Sequence, residues 1–502
     1  MSFVNAVKGT QSGRASAKNN SFAQATKKAA YVATTKNTQT ENGMAAHSTT
    51  SSALLDLFGL IGSARGTDIT KQFLAAYGAD ADKAARMLLW ARDIREGAGE
   101  RQTFRNLLEA LEKVNPFLAG KLLHKIPLLG RWDDVFSYRD YTNRRNAFAF
   151  IVEALRAGDA LCAKWMPRKG PIAVELTRFM EVTPKQYRKT LVRLTNVVES
   201  KMCAKDWDEI DFSKLPSVAS ARYQKAFGRN ATANYSAYKQ ELSKPVETRD
   251  PKVKVNAGAV YPYDVLKSVL KGDEVVANAQ WDALPNFIGD AKILPVVDVS
   301  GSMGSLYYSG RSELQPIDIA VSLGLYCSSK NTGKFKDLFV TFSAEPEFQL
   351  LSGNLSTRVQ NMSRAKWDMN TNLERVFHKT LDMATRFSIA QKDMPSMILI
   401  FSDMQFDKAA NGYMAGGVTY NASAVEMIKR QYADAGYKMP KVVFWNLNST
   451  IKNVAVKFDQ RGVAHVSGFS PAILKSILSD KLEKFTPENV MLETIMKDRY
   501  AI

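Results

Sequence analysis

Three cysteines, Cys162, Cys203 and Cys327, in 502 residues are too few and too scattered for a disulfide framework, and none sits in the close Cys/His pairing of a zinc site. That usage fits a reducing compartment. The four histidines, His47, His124, His378 and His465, are spread through the chain, so no nucleophile–base constellation can be assembled from neighbours in sequence. There is no Gly-x-x-x-x-Gly-Lys-Ser/Thr phosphate loop. No apolar run approaches the length that spans a bilayer, and residues 1–8 lack the apolar core of a secretory signal. Acid is almost missing from the first fifty residues, where Glu41 stands alone against Lys8, Arg14, Lys18, Lys27, Lys28 and Lys36. These absences predict a soluble cytoplasmic protein with no membrane partner and no catalytic centre.

What is present is ordinary globular material, 45% hydrophobic and 24% charged, in a chain long enough for two or three domains. The formal charge of +18 is the unusual quantity. Such a field favours a polyanion, an anionic membrane face or an acidic protein, and does not choose among them.

Residues 1–50, rich in Ser, Thr, Asn, Gln, Ala and Lys, predict a basic low-complexity tail with too little apolar surface to offset its ordering entropy. From residue 51 to 289 the apolar spacing is helical. Leu54, Leu55, Leu57 and Phe58 come first, then Ala84, Met87, Leu88 and Ala91, then Phe104, Leu107, Leu108 and Leu111, with Gly and Pro interrupting at short intervals. Successive helical hairpins of this kind predict an all-α, HEAT-like repeat. The clearest helix is expected over residues 184–202, with Tyr187, Leu191, Leu194, Val197 and Val198 on one side and Thr183 and Pro184 at its start. A helix at 263–271 is expected to lead into a linker.

From residue 290 to 502 buried strands (293–297, 336–342, 397–401, 441–446) alternate with helices (318–328, 373–387, 422–434, 471–478). Continuous apolar strands between helices predict a parallel sheet covered on both faces, the doubly wound α/β class, with its ligand at the carboxyl ends of the strands.

The first of these strands ends in Asp298-Val299-Ser300-Gly301-Ser302, where a strand-to-helix loop gathers three oxygen side chains. Hydroxyls and carboxylates are hard ligands suited to Mg²⁺ or Mn²⁺. The pattern resembles the metal-ion-dependent adhesion site of von Willebrand factor A (vWA) domains, in which Asp-x-Ser-x-Ser is joined by a Thr from a second loop and an Asp from a third. Thr371, opening a helix, and Asp403, closing a strand, occur in that order. The second loop reads Asn-Thr-Asn where the family commonly has Gly-Thr. The resemblance implies a binding device, with a metal able to capture an acidic protein ligand. Asp368 and Asp407 lie near these loops in sequence, but paired carboxylates for a nuclease are not evident.

In the helical half, Lys164, Arg168, Lys169, Lys185, Arg188, Lys189 and Arg193 fall within thirty residues, the last four on one helix face. Cations so grouped suit phosphate contacts, and Trp165 or Tyr187 offers an aromatic surface for stacking or for the core. Residues 92–101 (RDIREGAGER), 130–135 (GRWDDV) and 163–169 (AKWMPRK) resemble the TROVE module of the Ro autoantigen family, which joins a HEAT-repeat ring to a C-terminal vWA domain. Residues 187–189, 198–203 and 215–220 are similar to a plant, bacterial and phage branch of TROVE-plus-vWA proteins. The resemblance implies a non-enzymatic RNA-binding protein for small structured RNAs or single-stranded ends, carrying Mg²⁺ in its vWA domain. The competing expectation is a protein-assembly or phage structural module that grips an acidic partner through the metal.

Overall fold

In the computed structural model the residues described are 37–39, 45–195, 197–258, 260–272, 274–305, 313–342, 346–351, 353–363, 373–404, 422–448, 456–457, 459–479 and 484–502. A helical part is followed by an α/β part built on a mixed six-stranded sheet, the all-α repeat and doubly wound classes that the hydrophobic patterning anticipates. Among the described residues no helix is long and apolar enough to cross a membrane.

Within the expected tail, a small antiparallel pair forms between β1 (Asn37–Gln39) and β2 (Ala45–His47). After it, Thr50 turns inward: its amide and hydroxyl both donate to Asp56 Oδ1, at 2.7 and 2.6 Å. Ser52 caps the first helix among the described residues, Ala53–Ile61, by accepting from the Leu55 amide. The tail therefore ends in an antiparallel strand pair and a buried polar cap. Short Thr- and Ala-containing segments can pair once one end is pinned to a core, although their composition alone carries no strand signal.

Helices Thr70–Ala79, Ala81–Arg92 and Arg101–Val114 then pack each on the next, burying Phe73, Met87, Leu88, Phe104 and Leu108. The helix expected over 184–202 is two helices, Pro184–Leu194 and Val198–Ala204. Its predicted start is correct: Thr183 and Gln186 form a reciprocal capping box. The break falls where Thr195 and Val197 take extended backbone, β-branched residues being weak helix formers. The expected linker contains another helix, Glu274–Asp282, which buries Trp281.

The sheet order is β5 (Glu347–Leu350), β4 (Leu338–Phe342), β3 (Ile293–Asp298), β6 (Met397–Ser402), β7 (Lys441–Asn446), β8 (Val463–Ser467). All neighbours are parallel except β4 and β5. The sheet is therefore mixed rather than wholly parallel. β5 returns antiparallel at the edge, where its exposed and half-exposed Glu-Phe-Gln-Leu sequence lacks the apolar run of a buried strand.

Both ends of the helical part pack on the α/β part. At the first end, Ser467 Oγ donates to Phe58 O at 3.0 Å and accepts from the Gly62 amide at 3.1 Å. A Cβ on Gly62 would lie 2.3 Å from the Gly468 Cα, so the two backbones touch and only glycine fits. At the other, Tyr326 on the helix Pro316–Lys330 donates to Pro285 O at 2.6 Å and accepts from the Phe287 amide at 3.0 Å. Asp93 in the helical part receives the Tyr500 hydroxyl and the Arg499 guanidinium, each with a contact at 2.9 Å.

His465 lies in the first of these seams, 4% exposed, against Gly59. Burial holds its imidazole down to about 4 from the usual 6.5. The sign follows from linkage. Above about pH 6.5 both folded and unfolded His465 are neutral; as pH falls, the unfolded chain takes a proton that the folded chain refuses, so stability is lost toward pH 4. At pH 5 the loss is about 2 kcal/mol. Urea unfolding at pH 7 and pH 5 should show that difference between the natural protein and His465→Gln, whose stability should be the less acid-sensitive; equal pH dependence would remove His465 as the cause.

Candidate functional site

β3 is buried along its whole length and delivers Asp298 to the carboxyl edge of the sheet; β6 does the same one strand over and delivers Ser402 and then Asp403. The chain leaves β3 toward β4 on one side and later returns to β6 on the other, so these two carboxylates straddle the topological switch point. That is where doubly wound sheets leave a crevice for a ligand.

Asp298 is fully buried and Asp403 is 1% exposed. Asp298 Oδ1 accepts from the Ser300 amide at 2.9 Å and Oδ2 from the Ser402 hydroxyl at 2.6 Å. Ser300 and Ser302 hydroxyls stand 3.1 Å apart, Ser302 at the exposed side of the loop. Burial, and next the negative charge of Asp403, push the Asp298 carboxyl up to about 6, against the hydrogen bonds from Ser402 and Ser300. Two like charges out of water are costly unless a cation joins them, and the donors here are all hard oxygens. Among the described residues no group of three or more His, Cys, Asp or Glu side chains is placed to hold a metal ion.

The loop that holds these groups is constrained on both sides. Met404, directly after Asp403, has φ +68°, a costly conformation for a residue with a side chain. Gly304, at φ +90°, lets Gln315 approach; Gln315 Oε1 accepts from the Ser305 amide at 2.7 Å, and Gln315 and Asp318 cap the following helix reciprocally. Ser402 escaped the sequence reading, although it stands beside Asp403 at the end of the same apolar strand. Thr371, Asp368 and Asp407 lie outside the described residues.

The second group of expected residues lies on the helical part. Arg168, Lys169, Lys185, Arg188, Lys189 and Arg193 are exposed and Lys164 is half-buried. Helix Pro184–Leu194 packs against helix Ala160–Trp165. Nearby acids are engaged elsewhere: Glu175 with Arg144 at 2.6 Å and Asp133 with Arg131 at 2.6 Å. None of the seven has a carboxylate partner among the described residues.

The two aromatics do not present free faces. Tyr187 is 1% exposed and donates to Pro167 O at 3.0 Å, which makes it core. Trp165 is covered by the Arg131 guanidinium, 3.9 Å from its ring centroid. Arg131 is held in turn by Asp133, so the separated stretches 130–135 and 163–169 form one assembly.

Residues 159–291 match a domain of unknown function, DUF2828, and residues 292–499 match a second, DUF7788. Among curated proteins, the chain is 29% identical over 519 residues to uncharacterized protein L728 of Acanthamoeba polyphaga mimivirus, which covers 91% of this chain and 86% of that one. Among solved structures, the Deinococcus radiodurans RO (RSR) protein aligns at 15% identity over 88% of this chain and 93% of its own, with a TM-score of 0.37.

Proposed function

We propose that this is a non-enzymatic RNA-binding protein whose helical part carries the RNA and whose α/β part holds Mg²⁺ or Mn²⁺ as a ligand-binding device. The observation that supports it most directly is the basic face: six exposed cations and the half-buried Lys164, without carboxylate partners among the described residues, in a chain of net charge +18. Unpaired cations on a rigid helical surface suit a phosphate backbone, since each contact releases condensed counterions. The motifs similar to the Ro autoantigen family point the same way, toward small structured RNAs or single-stranded RNA ends. Purification at moderate salt followed by sequencing of the bound nucleic acid tests the reading. Defined RNAs support it; a protein free of RNA that instead captures an acidic protein only with Mg²⁺ would replace it with the assembly module.

For the metal, Asp298, Ser300, Ser302, Thr371 and Asp403 are the proposed ligands, with Ser402 positioning Asp298. The bound ion would supply a positive centre able to take a carboxylate from a partner. Metal that binds the folded chain alone stabilises it, by about 2.7 kcal/mol at a hundredfold excess over Kd. The natural protein should therefore melt higher with Mg²⁺ or Mn²⁺ than with EDTA, and Asp298→Asn should abolish the shift. A shift that persists in the variant would place the metal elsewhere.

A further inference from the structure

Phe117 and Tyr141 are each 76% exposed, and no large hydrophobic side chain among the described residues is more so. Rings of that size usually bury at least one face, and two left to water on adjoining helices mark a contact surface. Their helices, Pro116–Lys121 and Tyr141–Arg156, pack on each other. The Asn143 side-chain amide locks the two, donating to Pro116 O at 2.9 Å and to the buried Glu112 carboxylate at 3.1 Å. Both helix starts are capped, by Asn115 accepting from the Leu118 amide and by Asp140 accepting from the amides of Thr142 and Asn143. The rings therefore stand on a fixed base. Cations accompany them. Lys121 Nζ is 5.2 Å from the Phe117 ring centroid, Arg145 Nη1 reaches the Tyr141 hydroxyl at 3.5 Å, and Arg139, exposed, precedes Tyr141 by two residues. None of these three cations has a carboxylate partner among the described residues, and the acids nearby are taken. Glu112 accepts from the Arg139 amide at 2.6 Å, Asp140 is held in its cap, and Glu109 pairs with Lys113 at 3.0 Å.

We infer that Phe117 and Tyr141 are stacking platforms for unpaired bases of a single-stranded RNA, whose phosphates are taken by Lys121, Arg139 and Arg145. The inference rests on the RNA reading above and adds a second contact surface with cations of its own, on other helices than Pro184–Leu194. Tyr187 and Trp165, the aromatics beside the first set of cations, are core or covered, so stacking needs another ring. An exposed ring accepts the π-face of any base, and a cation beside it suits the phosphate that follows that base. The alternation of unpaired charge with exposed ring separates this partner from two others. The centre of a protein interface is depleted of charged residues, whereas here each ring has a free cation at its side. A duplex supplies the phosphates but keeps its bases stacked on one another and out of reach. Because the caps and the Asn143 lock already hold the backbone, stacking has only side chains to order.

Fluorescence anisotropy of the full chain with 5′-labelled oligouridylate, alone and annealed to oligoadenylate, tests this. Phe117→Ala and Tyr141→Ala should each weaken binding of the single strand about tenfold, the scale of one base–aromatic stack, and the double variant should weaken it further. The log–log salt slope should not change, since no phosphate contact is lost. Tyr141→Phe, which keeps the ring, should bind as the natural protein does. Replacing Lys121, Arg139 and Arg145 together by Ala should instead flatten the slope by about two units, at roughly 0.7 for each contact to a single strand. All these side chains are exposed, so the melting temperature should hold throughout. Binding of the duplex should be the same for the natural protein and the ring variants. Unchanged affinity of the single strand in the double ring variant, or an equal loss for the duplex, overturns the stacking surface, leaves the RNA reading standing and frees the rings for a protein partner. Failure of the natural protein to bind either RNA at low salt overturns both.

Discussion

Replacing Lys185, Arg188, Lys189 and Arg193 together by Ala is expected to weaken RNA binding by about two to three orders of magnitude at physiological salt. The log–log salt dependence should flatten by about three units, because each phosphate contact contributes roughly 0.7 to 0.9 to that slope. The fold should not suffer. These four side chains are exposed, Ala is the better helix former, and the buried Tyr187 and Leu191 and the Thr183–Gln186 capping box are untouched. Circular dichroism and a thermal melt establish that the variant is folded; titration of the bound RNA at several salt concentrations then reads the effect. Unchanged affinity with an unchanged slope would move the RNA off this face.

The exposed cations and the loops proposed to hold a metal can be read in the sequence for different reasons. Asp298 and Asp403 stand at the ends of two short apolar runs that alternate with helical segments, so their placement at the switch point follows from the doubly wound pattern. The basic face was legible because helix Pro184–Leu194 is amphipathic, with its cations on the side opposite Tyr187 and Leu191. Elements without such a contrast were missed. β8, Val-Ala-His-Val-Ser, is fully buried but carries a histidine and a serine in its five residues. Those two residues meet helix Ala53–Ile61, more than four hundred positions earlier. Helix Glu274–Asp282 begins just after a glycine and mixes Val, Ala and Trp with Asn and Gln, which gives it a weak period.

The stretches 92–101 and 130–135, separate in sequence, converge on Asp134, and this predicts the largest loss of stability in the molecule. Asp134 is fully buried. It accepts from Arg92 Nε at 2.6 Å, from Arg105 Nε at 2.8 Å and from the Arg131 amide at 3.0 Å. Arg92 has a side chain only 3% exposed, so removing the carboxylate charge leaves a guanidinium out of water with the Glu100 carboxylate, further off, as its counter-charge. Breaking a buried pair from one side costs about 3–5 kcal/mol. Asp134→Asn, nearly isosteric, is expected to lose that much in urea unfolding. Asp133→Asn removes a partly exposed partner of Arg131 and Arg105 and should cost about 1 kcal/mol or less. The second variant should nevertheless loosen Arg131 from the Trp165 ring, and with it the end of the helix that carries Lys164. Tryptophan fluorescence should therefore report Asp133→Asn where the melting curve barely does. If Asp134→Asn unfolded at the natural midpoint, the guanidinium of Arg92 would have to find another counter-charge, and the network would not be what holds these two stretches together.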